Sequence, residues 1–150
     1  TAETLARLRA ARAEADLVLL AMRPADPAKY GRVVVDGSGM VERIVEYVDA
    51  SAAERAIGLC NAGVICAPGA DLFRWLRAVR NDNAKGEYYL TDLVGLARGR
   101  GLKAAVALCE ERDVQGVNSQ VELAQVERVF QLAKRSNHVL SDAEVRAVLA

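Results

Sequence analysis

Gly58–Ala67 reads G-L-C-N-A-G-V-I-C-A, the most apolar stretch of the chain, and Pro68 stops it. A run this short and this apolar predicts a buried strand rather than a helix. Its place among the other elements predicts a central strand. Just upstream, Ser51-Ala52-Ala53-Glu54 has the form of a capping box and predicts a short helix. Before it lie two β-branched runs, Arg32–Asp36 and Met40–Tyr47, joined through Asp36-Gly37-Ser38-Gly39. Those turn residues accept positive φ, so the pair predicts a β-hairpin. Arg23–Gly31, with two prolines and a glycine, predicts a loop, and Asp16–Met22 (D-L-V-L-L-A-M) a buried strand. Thr1–Ala15 predicts a helix with Leu5 and Leu8 on one face.

Downstream, Ala70–Arg80 places Leu72, Phe73, Leu76 and Val79 at helical spacing. Asn81–Tyr89 is a polar loop. A helix follows from Thr91 or Asp92 and stops at Gly99, read as a C′ glycine. Lys103–Cys109 predicts a strand and Glu110–Asn118 a loop. Two further capping boxes, at Ser119 and Ser141, open a helix to about Arg135 and a short terminal one. Strands alternating with helices, plus one hairpin, predict an α/β fold with a mixed sheet.

Composition narrows the function classes. The chain has 150 residues, and its 20 Lys plus Arg balance 20 Asp plus Glu. That balance gives no electrostatic case for nucleic acid or an anionic membrane. No apolar run approaches the ~18 residues of a membrane span, and the charged opening T-A-E-T-L-A-R-L does not fit a signal peptide. Cys60, Cys66 and Cys109 form no C-x-x-C pair and read as reduced, buried and cytosolic. The sole histidine, His138, lies far from all of them in sequence. The residues from Lys134 onward read as a solvated helix end.

No phosphate loop, nucleophile elbow, zinc-protease helix or dinucleotide fingerprint occurs. Ala97–Leu102 (A-R-G-R-G-L) follows a helix and precedes a strand, the reverse of a dinucleotide loop. Three polar residues need an account. Asn61 interrupts an apolar strand, either as a hydrogen-bonded core amide or as a strand-end group facing a polar ligand. Glu46 closes a hairpin strand, as an exposed carboxylate or a ligand group. Asn118 precedes a helix start, as a turn or capping residue or a ligand group. Taken alone, these residues reach only an α/β domain.

Five stretches in order resemble the bacterial N-acetylglucosamine-1-phosphate uridyltransferase (GlmU) family. They are Asp26–Val34 (D-P-A-K-Y-G-R-V-V), Arg43–Arg55 (R-I-V-E-Y-V-D-A-S-A-A-E-R), Cys60–Ala67, Asn81–Asp92 (N-D-N-A-K-G-E-Y-Y-L-T-D) and Gln115–Phe130. The resemblance runs to about Phe130. It implies a Rossmann-like nucleotidyltransferase mixed sheet of GT-A type, N-terminally truncated, with no β-helix domain. Residues 1–130 would be the C-terminal part of the nucleotidyltransferase domain and 131–150 a helical tail or linker.

The implied activity joins N-acetylglucosamine 1-phosphate to UTP, giving UDP-N-acetylglucosamine and pyrophosphate for peptidoglycan and lipopolysaccharide synthesis in the cytoplasm. The implied roles are Gly31 at the sugar nucleotide through its backbone, Glu46 and Asn61 at the sugar, Thr91 near the site, and Asn118 on Mg2+ and nucleotide. No catalytic residue is assigned. Full-length members form homotrimers through the β-helix domain.

The L-x-x-G-x-G-T-R-M loop, the uracil-binding segment and the magnesium-binding aspartate have no counterpart here. The chain alone is therefore expected to be inactive, the alternative being a non-catalytic sugar-nucleotide-binding module. Missing central strands would also leave open sheet edges. The isolated chain is accordingly expected to be poorly soluble, and a sharp cooperative thermal transition of a monomer would contradict this.

Overall fold

In a computed structural model, residues 2–27, 29–117, 119–136 and 140–149 are described. His138 lies outside them. The chain divides into two compact units, Thr1–Cys109 and Glu110–Ala150.

The first unit holds helix α1 (Ala2–Ala10) with a 3-10 turn at Ala11–Ala13, and strand β1 (Leu17–Met22). Strands β2 (Arg32–Val35) and β3 (Val41–Val45) and helix α2 (Ala52–Arg55) follow, then β4 (Cys60–Cys66), α3 (Gly69–Leu76), α4 (Asp92–Arg98) and β5 (Ala104–Leu108). The strand order is β3-β2-β4-β1-β5. Only the β1–β5 pair is parallel, so the sheet is mixed, as its alternating strands and helices predict. All six residues of β1 are buried, as a strand covered on both faces requires.

The principal core packs one face of the sheet against α3 and α4. Leu17, Leu19 and Ala21 of β1, Val33 of β2, Val41 and Ile44 of β3, and Leu59 meet Trp75, Leu93, Val94 and Ala97. The hairpin forms as expected. Gly39 turns at φ 82°, and Asp36 Oδ1 accepts from the Ser38 and Met40 amides at 2.9 and 3.1 Å. The other Asp36 oxygen takes Arg98 of α4 at 2.7 Å, tying the turn to the covering helix.

Several expectations are corrected. On α1, Thr4 and Leu8 are buried and Leu5 is exposed, because the inward stripe follows the i, i+4 pair. On α3, Trp75 is the anchor at 2% exposure, whereas Phe73 is 64% exposed and Leu76 also faces out. Gly99 keeps a right-handed φ of −62°, and the left-handed turn after α4 belongs to Gly101 at φ 76°. The strand β4 is central in order yet mostly half-buried rather than fully buried. No disulfide joins the three cysteines among the described residues; Cys60 is buried and the other two are half-buried.

The second unit holds a 3-10 turn (Glu111–Asp113), α5 (Gln120–Ser136) and α6 (Asp142–Leu149). The helix α5 passes through position 130, where the sequence suggested a boundary. The helix α6 packs against α5 and the 3-10 turn, burying Val145. Ser141 and Glu144 close their capping box with bonds of 2.6 to 3.3 Å.

The box at α2 is complete as well. Glu54 Oε2 accepts from the Ser51 amide and hydroxyl at 2.8 and 2.6 Å, while Oε1 meets Arg43 at 2.9 Å. These bonds, the Ser51 hydroxyl first, hold the Glu54 carboxyl down at about 2. A pKa depressed by folding gives stability that is complete above the ordinary carboxylate value and is lost as pH falls toward the folded one. Glu54→Gln is therefore expected to flatten the fall in Tm between about pH 4.5 and 2. An acid limb identical to wild type in thermal melts would refute the assignment.

Candidate functional site

The antiparallel register assembles the site. Arg32 of β2 faces Val45 on one side and Cys60 on the other. One residue further toward the same end, Gly31, Glu46 and Asn61 fall into a row that continues through Ala21 and Leu108. Cross-strand neighbours in such a row share a face of the sheet. Two positions inward the row is Ile44, Val33 and Leu59, all part of the core under α3 and α4. The face thus turns polar one strand period beyond its apolar row. Glu46 lies just past the end of β3 rather than within it, and it opens a turn whose Asp49 amide donates to the Glu46 carbonyl at 3.0 Å.

The contacts are close. Thr91, at 8% exposure, donates from Oγ1 to Glu46 Oε1 at 3.1 Å. The Glu46 carboxylate lies over Gly31, where an added Cβ would stand 3.3 and 3.4 Å from its two oxygens and 3.3 Å from Ile44. Any side chain at position 31 would crowd the carboxylate. The Gly31 carbonyl accepts from the Asn61 amide at 2.8 Å.

A bulge aims Asn61. Between Leu19 and Ala21 the β1 chain advances two residues, while β4 moves four, from Ile65 to Asn61. Gly63 takes φ 77° inside the extra length, and its amide donates to Asn61 Oδ1 at 3.1 Å. Asn61 is therefore half-exposed and lines a cleft instead of sitting in the core.

The cleft holds about 190 Å³, lined by Glu46 and Thr91, by Asn61 and Ile65 of β4, and by Tyr88 and Tyr89. That is below the ~300–1,000 Å³ of most small-molecule pockets, so it has room for one ring-sized group and no more. Among the described residues no Lys or Arg lines it. The Tyr89 hydroxyl is shielded from solvent. Burial first, then the carboxylates of Asp49, Glu87 and Glu46, push its pKa above the ordinary 10. Asp49 approaches it, but too loosely for a well-formed hydrogen bond. Burial, with Asp49 adding to it, likewise raises the Asp92 carboxyl.

The structure thus brings Glu46, Asn61 and Thr91 to one cleft, with Gly31 against Glu46 and Asn61 but outside the lining. Asn118, the expected magnesium ligand, lies outside the described residues. Among the described residues no group of three or more His, Cys, Asp and Glu side chains is arranged to hold a metal ion. The donors of the cleft alone do not make a magnesium site.

Sequence reasoning passed over Arg32. Its guanidinium is 2% exposed and donates to the carbonyls of Pro27, Tyr30 and Arg55, at 3.2 Å to the first and last. It also stands 5.6 Å from the Tyr47 ring, which Arg55 approaches at 4.6 Å. A buried cation needs such partners, and here two of them fix the loop just ahead of Gly31 while the third ties it to the end of α2. The available signal was a charged residue heading a run of valines.

The chain is 53% identical to the bifunctional protein GlmU of Roseobacter denitrificans over 135 residues, 90% of the chain and 30% of that protein. It is 54% identical to that of Rhodospirillum rubrum over 134 residues, 87% of the chain and again 30% of the relative. Over this span the chain is similar to GlmU proteins. It covers about 30% of the length of these GlmU proteins. No protein-family model matches it. Its fold is similar to a nucleoside-diphosphate-sugar pyrophosphorylase from Vibrio cholerae, with a TM-score of 0.61 and 18% identity over 77% of this chain and 48% of that one.

If Gly31 and Thr91 act on the same carboxylate, their substitutions must couple. Gly31→Ala and Thr91→Val together are expected to depart from additivity by roughly 0.5–3 kcal/mol in denaturant unfolding. Full additivity of the two would refute the shared contact.

Proposed function

We propose that this chain supplies the sugar side of a sugar nucleotidyl-transfer site, with N-acetylglucosamine 1-phosphate and UTP as substrates and UDP-N-acetylglucosamine and pyrophosphate as products. The observation that carries the proposal is the polar row Glu46–Gly31–Asn61 closed by Thr91. Carboxylates accept hydrogen bonds from hydroxyls, and an amide both donates and accepts. Such a set suits the ring hydroxyls and acetamido group of a hexosamine. The half-buried Tyr89 and Ile65 give an apolar wall for the ring's carbon face.

In the reaction, a phosphate oxygen of the sugar phosphate attacks the α-phosphorus of UTP and pyrophosphate leaves. Positioning and charge neutralisation dominate such a step. The cleft supplies positioning. Its carboxylate and lack of cations disfavour phosphate inside it, so the ring enters and the phosphate points outward. The magnesium ligand in this proposal is Asn118, a single amide oxygen completed by phosphate oxygens and water. One amide is a minor ligand, so the reading includes little or no turnover by this chain alone, in a cytoplasmic protein.

The same features favour a second reading, a sugar-nucleotide-binding module without catalysis. Calorimetry with UDP-N-acetylglucosamine and a pyrophosphate-release assay separate the two. Glu46→Ala and Asn61→Ala are each expected to weaken binding roughly ten- to a hundredfold, the loss of one or two well-placed hydrogen bonds. Wild-type affinity in both variants would remove the sugar-site assignment. Substantial turnover by this chain would instead overturn its inactivity.

A further inference from the structure

The polar segment 81–90 is a strap whose far end, Tyr88 to Leu90, walls the cleft. It carries its own scaffold. Asn83 Oδ1 accepts from the amides of Lys85 and Glu87 at 3.1 and 3.2 Å, and Asn83 Nδ2 donates to the Glu87 carbonyl at 2.5 Å. Gly86 makes the turn at φ 66°. The strap then runs into α4, with the Asp92 amide bonded to the Tyr89 carbonyl at 3.2 Å. Its tip is tied across 35 positions of sequence, where the Ala84 amide donates to Asp49 Oδ1 at 3.0 Å. Asp49 in turn closes the turn that begins at Glu46, through its own amide and the Glu46 carbonyl.

We propose that Asp49 is a positioning residue, a latch that holds the strap so that Tyr88 to Thr91 close the cleft over Glu46. One turn thereby presents the ligand carboxylate at its first residue and the latch at its fourth. Asp49 does not line the cleft and acts through Ala84 and Tyr89. The inference rests on the sugar-site reading for its effect on ligand, and on geometry alone for the latch.

The test uses the chain with Asp49→Ala, Asp49→Asn and, as a control, Glu46→Ala. The first readout is the rate of tryptic cleavage after the exposed Lys85. The second is the Tyr89 phenolate titration, followed by absorbance against a Tyr89→Phe reference. The third is N-acetylglucosamine 1-phosphate binding by calorimetry.

Asp49→Ala is expected to speed cleavage and weaken binding, each by roughly three- to tenfold, the loss of one hydrogen bond to a charged acceptor. It should also lower the Tyr89 midpoint. Asp49→Asn keeps an oxygen for Ala84, so it is expected to keep wild-type cleavage and binding while lowering the Tyr89 midpoint alone. That rescue separates a latch from a general loss of fold. Glu46→Ala is expected to weaken binding roughly ten- to a hundredfold with cleavage after Lys85 unchanged.

Unchanged cleavage in Asp49→Ala overturns the latch, and so does faster cleavage with full binding. If the wild-type chain binds no sugar phosphate, the functional reading fails. The latch then stands or falls on cleavage and titration.

Discussion

The cleft depends on a buried cation at the meeting of three strands. Arg32 sits where β2 pairs with both β3 and β4, and its guanidinium is spent on the main-chain carbonyls of Pro27 and Tyr30, just ahead of Gly31, and of Arg55 in α2. The Pro27 and Tyr30 carbonyls belong to a loop with no regular hydrogen-bonding ladder of its own, and the Arg55 carbonyl ends α2. A guanidinium offers five donors in a rigid fork, so one side chain can hold several loop carbonyls at once. The Tyr47 ring beneath it, shared with Arg55, adds a second restraint. With the loop fixed, Gly31 lies in line with Glu46 and Asn61, and the register needs nothing further to gather them.

Why the site lies at this end of the sheet follows from how the face is covered. The rows under α3 and α4 are apolar, since Ile44, Val33 and Leu59 are removed from water there. One strand period beyond them, at Glu46 and Asn61, a polar side chain keeps access to solvent and still stands on a rigid ladder. Thr91, immediately ahead of α4, reaches Glu46 from the helix layer. The cleft is therefore a seam between the two layers, and its rigid floor is paired with a wall, the strap, that is built mainly from local turns. Sites placed on strand ends are held more tightly than sites placed on loops, and here each kind of support contributes one side.

Much of this was legible from residue types. The D-G-S-G turn fixed the hairpin, the three capping boxes marked helix starts, and L-V-L-L-A-M announced a strand covered on both sides. Other features were not legible, for identifiable reasons. The partners of β4 are non-local, so the row Glu46–Gly31–Asn61 could not be counted out from any one segment. The bulge at Gly63 gives no pattern distinct from an ordinary glycine in a strand, yet it decides that Asn61 faces the cleft. Apolar spacing on α3 favoured Phe73, but an eight-residue helix buries a narrow stripe and Trp75 took it. Gly99 and Gly101 lie two residues apart, and only the backbone shows which one turns left-handed. The roles of Glu46, Asn61 and Gly31 came from family resemblance; spacing alone left each of them open.

The charge of the cleft constrains how the proposed ligand lies. Glu46 is held by Thr91 and covered from below by Gly31, and Glu87 and Asp49 stand nearby around Tyr89. A phosphate brought into that company would meet like charge in a partly desolvated space, where repulsion is screened less than in open water. A neutral ring with hydroxyl donors meets acceptors instead. In the proposed reading, a nucleotidyl transfer's two tasks, recognition of the sugar and neutralisation of phosphate, are separated, and this cleft takes the first. On that reading, electropositive groups for the second would approach from the mouth, since among the described residues no cation lines the interior.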